Sequence, residues 1–527
     1  MQQDLLGGVR GDRRWRTFGE LLADAAARFG DRPAVVDGDR TLSYRELGDE
    51  VRRTAGAMLA HGVGIGDRVA VWAPNSWRWI VAALGAQSVG AALVPLNTRY
   101  KGPEVAHILH RARPRVLVVA DGFLGNDHLG MLAAEDVSVP CTVRLGGARD
   151  GALGWDGFLA ESVTPDEVMT QVDGDCISDV LFTSGTTGRP KGVLTTHAQN
   201  LRGYFDFSRL AGFRDGDRYA IVSPFFHAFG YKAGWLSALM HGMTIYPHAV
   251  LDAEVLLDQI DRERIEVLPG PPTLYATLLA DPRLRERDLS SLRLAITGAA
   301  SVPAVLIRRV LAELGFERVT TCYGMTEGCA LATISRPDDP VEVLTRASGR
   351  ALPGIEVAVV DDDGNPVPHG GLGEVRVRGY NVMQGYLDAT AETALKVDVE
   401  GWLHTGDIGR MDDDGNLSVT DRKGDMFVVG GFNAYPAEIE ATLAEHPGVR
   451  EVAVIGTPDE RLGEVGAAFV IPSAAGAPSE DELITWARER LANFKVPRRV
   501  VVVDRLPRNA TGKVLKNELR TMIATGA

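Results

Sequence analysis
Residues 181–193 read LFTSGTTGRPKGV, and no other string in the chain gathers as much chemistry. Thr183, Ser184, Thr186 and Thr187 offer hydroxyls, Gly185 and Gly188 let backbone N–H groups approach an anion, and Lys191 adds a cation. A turn that merely reverses the chain needs no such density of donors, so the string predicts a phosphate-binding loop. It is not a Walker loop, which requires Gly-Lys followed by Ser or Thr, because Arg189 follows Gly188. It is not a nucleophile elbow either, because Phe182 stands where a glycine must precede Ser184 by two. Ser184 is therefore expected to donate to phosphate rather than attack a carbonyl.

On these residues the loop resembles that of the acyl-adenylate-forming superfamily, which includes acyl-CoA synthetases, beetle luciferases and peptide-synthetase adenylation domains. Further motifs follow in the family's order along nearly the whole chain. The resemblance implies ATP, Mg2+ and coenzyme A, a small carboxylic acid, and two steps. The acid and ATP give acyl-AMP and pyrophosphate; coenzyme A then takes the acyl group and AMP leaves. In CYGMTEG it implies that Tyr323 and Gly324 lie beside adenine, that Thr326 meets phosphate, and that Glu327 holds Mg2+ together with Thr186. A hard cation bridging a polyphosphate does want carboxylate oxygen. Asp407 of HTGD is implied as acceptor for the ribose hydroxyls and Arg422 of DRKGD as a second nucleotide contact. Lys513, in PRNATGK, is implied at the α-phosphate and the carboxylate during adenylation. An ammonium placed on the charge that builds there contributes about 10²–10³ in rate.

In the same family the small domain rotates between the two steps, about a hinge two residues after the arginine. That position is Gly424, where Lys or Asp is usual; Gly keeps rotation feasible, and the adjacent Lys423 is a candidate for the missing charge. Gly430 and Gly431 of GGFNAYPAEIE are implied at the pantetheine tunnel; read alone they make a tight β-turn, and the two readings are compatible.

SPFFHAFGYKAG places His227 where the family has a gating His or aromatic beside the carboxylate, so His227 joins Lys513, Thr186 and Glu327 as a catalytic candidate. Phe226, Tyr231 and Lys232 are expected along the acyl pocket. An ammonium in so apolar a segment is costly to bury without a partner, so Lys232 is expected either to reach solvent or to meet a polar part of the acid. LAITGAAS, with Gly298, Ala299 and Ala300, is expected to form one wall, its small residues leaving room for bulk. FFHAFGYKAG, VLPGPPTLY, ITGAASVP and LANFKVPR resemble the CoA ligases that activate the bicyclic propanoate left by steroid-ring degradation. Its ring carbonyls are groups a lysine can address. A medium-chain or aromatic acid is the alternative substrate. The alternative activities are an adenylating enzyme that loads a carrier protein, disfavoured by the few residues after Lys513, and a luciferase-like oxidase. A non-catalytic nucleotide sensor would not need Glu327, Asp407 and Lys513 together.

The elements that must hold these residues are legible in outline. Phe18, Leu21, Leu22, Ala25, Ala26 and Phe29 recur at helical spacing, and Ser43 with Glu46 makes a capping box that opens a second helix. VAVWA, a helix through Trp79 and Leu84, and AALVPL give strand, helix, strand, and the same rhythm resumes from DVLFT to LRLAITG. From about Ser348 the pattern turns antiparallel, and beyond Arg422 a small α+β segment follows. The expected fold is α/β: an N-terminal domain (1–422) of two stacked α/β subdomains plus a distorted β-barrel-like part, and a small mobile C-terminal domain (423–527). A chain of 527 residues is too long for one core. A formal charge of −14 argues against nucleic acid or an anionic membrane as partner. The longest apolar stretch, Val81 to Leu96, is broken by Gln87, Ser88 and Gly90, so no membrane span is expected. The N-terminus lacks a signal-type apolar run, and Cys141, Cys176, Cys322 and Cys329 form no CxxC pair, which suits a reduced cytoplasm. Whether the protein is a monomer or a homodimer is left open.

Overall fold
A computed structural model describes residues 15–149, 151–184, 190–298, 304–361, 363–422, 427–434, 436–473, 476–507 and 514–524. Two large sheets dominate. One has nine strands, in the order Arg350–Ala351, Thr333–Ile334, Arg318–Tyr323, Leu294–Gly298, Val267–Pro269, Arg218–Ile221, Thr244–Pro247, Pro33–Asp37, Arg40–Ser43. From Arg318–Tyr323 to Pro33–Asp37 its neighbours are parallel. The other has eight strands, in the order Gly385–Tyr386, Pro190–Thr196, Ile177–Ser184, Ala92–Pro95, Arg68–Trp72, Val116–Val119, Cys141–Arg144, Leu153–Gly154. It is parallel from Ile177–Ser184 onward, and Ala92–Pro95 and Val116–Val119 are buried on both faces, as strands covered by helices on either side must be.

Helix Trp77–Ser88 is buried at every residue from Trp79 to Ser88, and His197–Ala211 is buried at nearly all of its residues. A helix buried on every face needs cover on every side, and the core cluster that holds both runs through residues of both sheets. The expected capping box is present, with Ser43 and Glu46 exchanging bonds at the start of Tyr44–Ala60.

The barrel-like part is a four-stranded antiparallel sheet, Ile355–Val360, Gly373–Gly379, Leu403–Met411, Leu417–Arg422. A five-stranded sheet built from Phe427–Val429, Phe432–Ala434, Val449–Asp459, Gly463–Pro472 and Arg499–Val502 has its own cores. We call this the C-terminal module. Among the described residues no helix is long and apolar enough to cross a membrane.

Candidate active site
Parallel strands aim their carboxyl ends at one edge, where loops leave a crevice for ligand. Here both large sheets do so toward a single cavity of about 380 Å³. From the nine-stranded sheet come Gly298, Cys322 and Gly324 at strand ends, together with Ser223, Phe226 and His227. The eight-stranded sheet contributes Asn97, Thr98 and Arg99 after Ala92–Pro95, and Thr183 near the end of Ile177–Ser184. Ser184 ends that strand, and Lys191 lies opposite Thr183 in register on Pro190–Thr196. The two strands pair antiparallel, and the described residues stop at 184 and resume at 190. Gly185, Thr186, Thr187 and Gly188 thus lie outside the described residues, as do Ala299, Ala300, Gly424 and Lys513.

Thr326 lines the cavity beside Gly324, and the next residue, Glu327, is buried. The Tyr386 hydroxyl donates to Glu327 Oε1 at 2.8 Å, and Lys191 Nζ sits 5.3 Å from the centre of the same Tyr386 ring. Tyr386 therefore joins the carboxylate assigned to metal and the lysine assigned to phosphate, a link the sequence did not flag. Asp407 is buried, accepts the Tyr323 hydroxyl at 2.6 Å, and is the register partner of Arg422 across an antiparallel pair. The two implied nucleotide contacts are thus neighbours at backbone level.

His227 opens onto the cavity, where its Nδ1 accepts the Phe229 N–H at 3.2 Å. That bond leaves the proton of the neutral ring on Nε2. The ring is exposed toward the cavity, and the protein packed around it lowers its pKa from the ordinary value, which favours the neutral form. No side chain fits at Gly298, where a Cβ would stand 2.8 Å from the Cys322 carbonyl oxygen, so this wall is held at its minimum bulk.

The C-terminal module closes the cavity. Gly430 and Gly431, with φ of +56° and +86°, turn the hairpin between Phe427–Val429 and Phe432–Ala434 and line the cavity with Phe432 and Phe494. A Cβ on Gly431 would lie 3.1 Å from Pro271, so the turn and the close approach need glycine together. Phe432 stacks between Phe226 (6.5 Å) and Phe494 (4.8 Å), and the Arg99 guanidinium caps its ring at 5.1 Å. Behind this stack, Lys495 Nζ lies 2.8 Å from Glu104 Oε1, on helix Gly102–Ala112, and 2.6 Å from Glu438 Oε1, within the module. The lysine side chain is 1% exposed. Burial alone would lower its pKa, but Glu104, Tyr100 and Glu438 outweigh burial and raise it, so the ammonium stays charged.

Two expectations for the acyl pocket are corrected. Lys232 neither reaches solvent nor lines the cavity: its side chain is 0% exposed and its Nζ is 2.9 Å from Asp179 Oδ1. The sequence reading lacked this partner, 53 positions away, which makes burial tolerable. Tyr231 is also withdrawn from the pocket; it stacks on Trp235 at 4.9 Å and its hydroxyl takes a 2.6 Å bond from Gln87. Phe226, His227 and Gly298 do line it. Cavity residues that sequence reasoning missed include Asn75, Arg99, Cys322 and His248.

A family model described as "AMP-binding enzyme" matches residues 22–387, and one described as "AMP-binding enzyme C-terminal domain" matches residues 438–513. The chain belongs to the AMP-binding enzyme family. Within that family it is 47% identical, over 96% of its length and 98% of the relative's, to a 3-[(3aS,4S,7aS)-7a-methyl-1,5-dioxo-octahydro-1H-inden-4-yl]propanoyl:CoA ligase of Rhodococcus jostii. A protein of the same description from Mycobacterium tuberculosis is 46% identical over 96% of this chain and 99% of its own. Among solved structures, the amide bond synthetase McbA from Marinactinospora thermotolerans superposes with a TM-score of 0.85 at 30% identity, covering 96% of this chain and 99% of that one.

Proposed function
We propose that the protein is an ATP-dependent acid–thiol ligase for a ketone-bearing bicyclic propanoate. The observation that carries this reading is one cavity bordered on one side by the strand of the phosphate loop and on the other by the glycine hairpin of the C-terminal module. In the first step a carboxylate oxygen attacks the α-phosphorus of ATP, and pyrophosphate leaves with the electron pair of the broken P–O bond. Thr183, Ser184, Thr187, Lys191 and the N–H groups near Gly185 and Gly188 are assigned to the phosphates. Asp407 and Arg422 are assigned to the ribose, Tyr323 and Gly324 to the adenine side, and Lys513 to the reacting oxygens. His227, neutral with its proton on Nε2, donates to the carboxylate and orients it. Glu327 suits Mg2+, because that ion takes one or two carboxylates and completes its shell with substrate phosphates; Thr186 is its assigned companion, and the ion would neutralise phosphate charge. In the second step the thiol of coenzyme A gives up its proton, its sulfur attacks the acyl carbonyl carbon, and AMP departs. Gly430 and Gly431 leave room for the pantetheine arm.

The acid is assigned from the two relatives near 47% identity and from a wall that mixes aromatic and polar groups. With Lys232 withdrawn, the Ser223 hydroxyl is the group assigned to a ring carbonyl. The test is a pyrophosphate-release screen over bicyclic, aromatic and straight-chain acids, with and without coenzyme A. The bicyclic propanoate should give the highest kcat/KM and form a thioester only with coenzyme A. A straight-chain or aromatic acid with higher kcat/KM would overturn the substrate, and pyrophosphate release with no thioester would overturn the ligase.

A further inference from the structure
Lys232 and Asp179 form an ion pair whose two side chains are fully buried, and neither touches the cavity. Asp179 lies on the outgoing strand of the phosphate hairpin, four residues before Thr183, and its register partner on the returning strand is Thr195. Asp179 Oδ1 accepts the Thr195 hydroxyl at 2.7 Å, and Lys232 Nζ donates to Thr195 Oγ1 at 3.1 Å, so the ammonium grips both strands at the hairpin's base. Asp179 Oδ2 accepts the Ser178 hydroxyl at 2.8 Å and Asn200 Nδ2 at 2.9 Å, which ties in helix His197–Ala211. Lys232 itself sits in Phe229–Leu236, a wide π-helical segment whose backbone leaves helical geometry at Gly234. The residues at and just before the start of that segment, Phe226, His227, Ala228 and Phe229, border the acyl cavity.

One ion pair therefore joins the segment that presents the acid's carboxylate to the hairpin that presents the phosphates. A purely apolar contact between the two would tolerate sliding; a buried pair with shared hydroxyls is satisfied in one arrangement only. We propose that Lys232 and Asp179 are positioning residues that set the distance between the carboxylate and the α-phosphorus by locking the acyl-pocket segment to the base of the phosphate hairpin. The inference rests on the ligase reading above and adds to it which residues fix the register of the two substrates.

The experiment compares the two half-reactions in a neutral-for-charged double variant, Asp179→Asn with Lys232→Met, which removes both ions and leaves neither alone. Adenylation is read as acid-dependent ATP–pyrophosphate exchange, and thioester formation is read from supplied acyl-adenylate and coenzyme A. Displacing reacting groups by about 1 Å costs up to about 100-fold. Adenylation kcat per folded molecule should thus fall about 10- to 100-fold, while the KM values for acid and ATP move less than about threefold. Thioester formation should stay within about threefold, because acyl and phosphoryl groups already share a bond in that substrate. Unchanged adenylation, or equal losses in both half-reactions, would overturn the proposal. If the double variant does not fold, Thr195→Val, which keeps both charges and removes the shared hydroxyl, must give the same asymmetry at about 3- to 10-fold. A symmetric or absent effect there overturns the proposal too. A wild-type protein that exchanges pyrophosphate with no acid would instead sink the ligase reading and leave the ion pair without this role.

Discussion
Glu104→Gln should separate the two half-reactions through the contact that seats the C-terminal module. Lys495 is held by two carboxylates, one from each side of the interface, at 2.8 and 2.6 Å, with both side chains nearly free of solvent. Glu438 belongs to the same module as Lys495, so under the proposed rotation the Glu104 bond is the one of these two that is broken. A hydrogen bond to a charged group contributes about 1.5–3 kcal/mol, which at about 1.4 kcal/mol per tenfold is about 10- to 150-fold in the seating equilibrium. The amide keeps one acceptor, so Glu104→Gln should sit near about 10-fold and Glu104→Ala near about 100-fold. The assay is rapid-quench thioester formation from supplied acyl-adenylate, alongside ATP–pyrophosphate exchange on the same preparations. The first rate should fall by those factors, and the second should hold or rise as the module is freed to rotate. Parallel losses in the two rates, or an unchanged thioester rate in Glu104→Ala, would refute the reasoning.

Tyr386→Phe removes the hydroxyl that fixes Glu327 at 2.8 Å, so the Mg2+ concentration for half-maximal adenylation should rise about 3- to 10-fold with little change in acyl-adenylate binding; an unmoved Mg2+ titration would count against Glu327 as ligand. Gly431→Ala forces a side chain onto a residue with φ of +86° and 3.1 Å from Pro271, a strain of about 1–2 kcal/mol, and should slow thioester formation about 10-fold while sparing adenylation. Equal rates in both steps would mean that the hairpin does not meet the thiol. His197 is fully buried, its Nδ1 accepts the Phe18 N–H, and burial pushes its pKa down to about 4. Between pH 6.5 and 4 the unfolded chain binds a proton that the native ring refuses, so stability falls as pH falls, by at most about 3 kcal/mol. His197→Gln should flatten that part of the stability curve measured by urea unfolding at stepped pH, and an unaltered slope would assign it to other groups.

The reading of the sequence succeeded where chemistry is local. The capping box at Ser43 and Glu46 and the turn at Gly430 and Gly431 depend on neighbours in the chain, and each can be argued from spacing. It failed where the answer depended on a distant partner. Lys232 was flagged because an ammonium in an apolar run is costly, but nothing nearby in sequence named Asp179. Lys495 sits in an equally apolar run, between Phe494 and Val496, and its partner Glu104 is 391 positions away. In both cases a lysine amid apolar residues marked a buried ion pair, and only the fold could supply the carboxylate. Tyr386 gave no signal of its own, because a tyrosine near a turn is ordinary until its hydroxyl is found on Glu327.

The most direct test of the central claim uses acid labelled with oxygen-18 in its carboxylate, turned over once with ATP and coenzyme A. If the carboxylate attacks the α-phosphorus and AMP later leaves from the acyl carbon, mass spectrometry should find one label atom in the phosphate of AMP and none in pyrophosphate. Label in pyrophosphate or inorganic phosphate, or AMP free of label while thioester accumulates, would contradict the account.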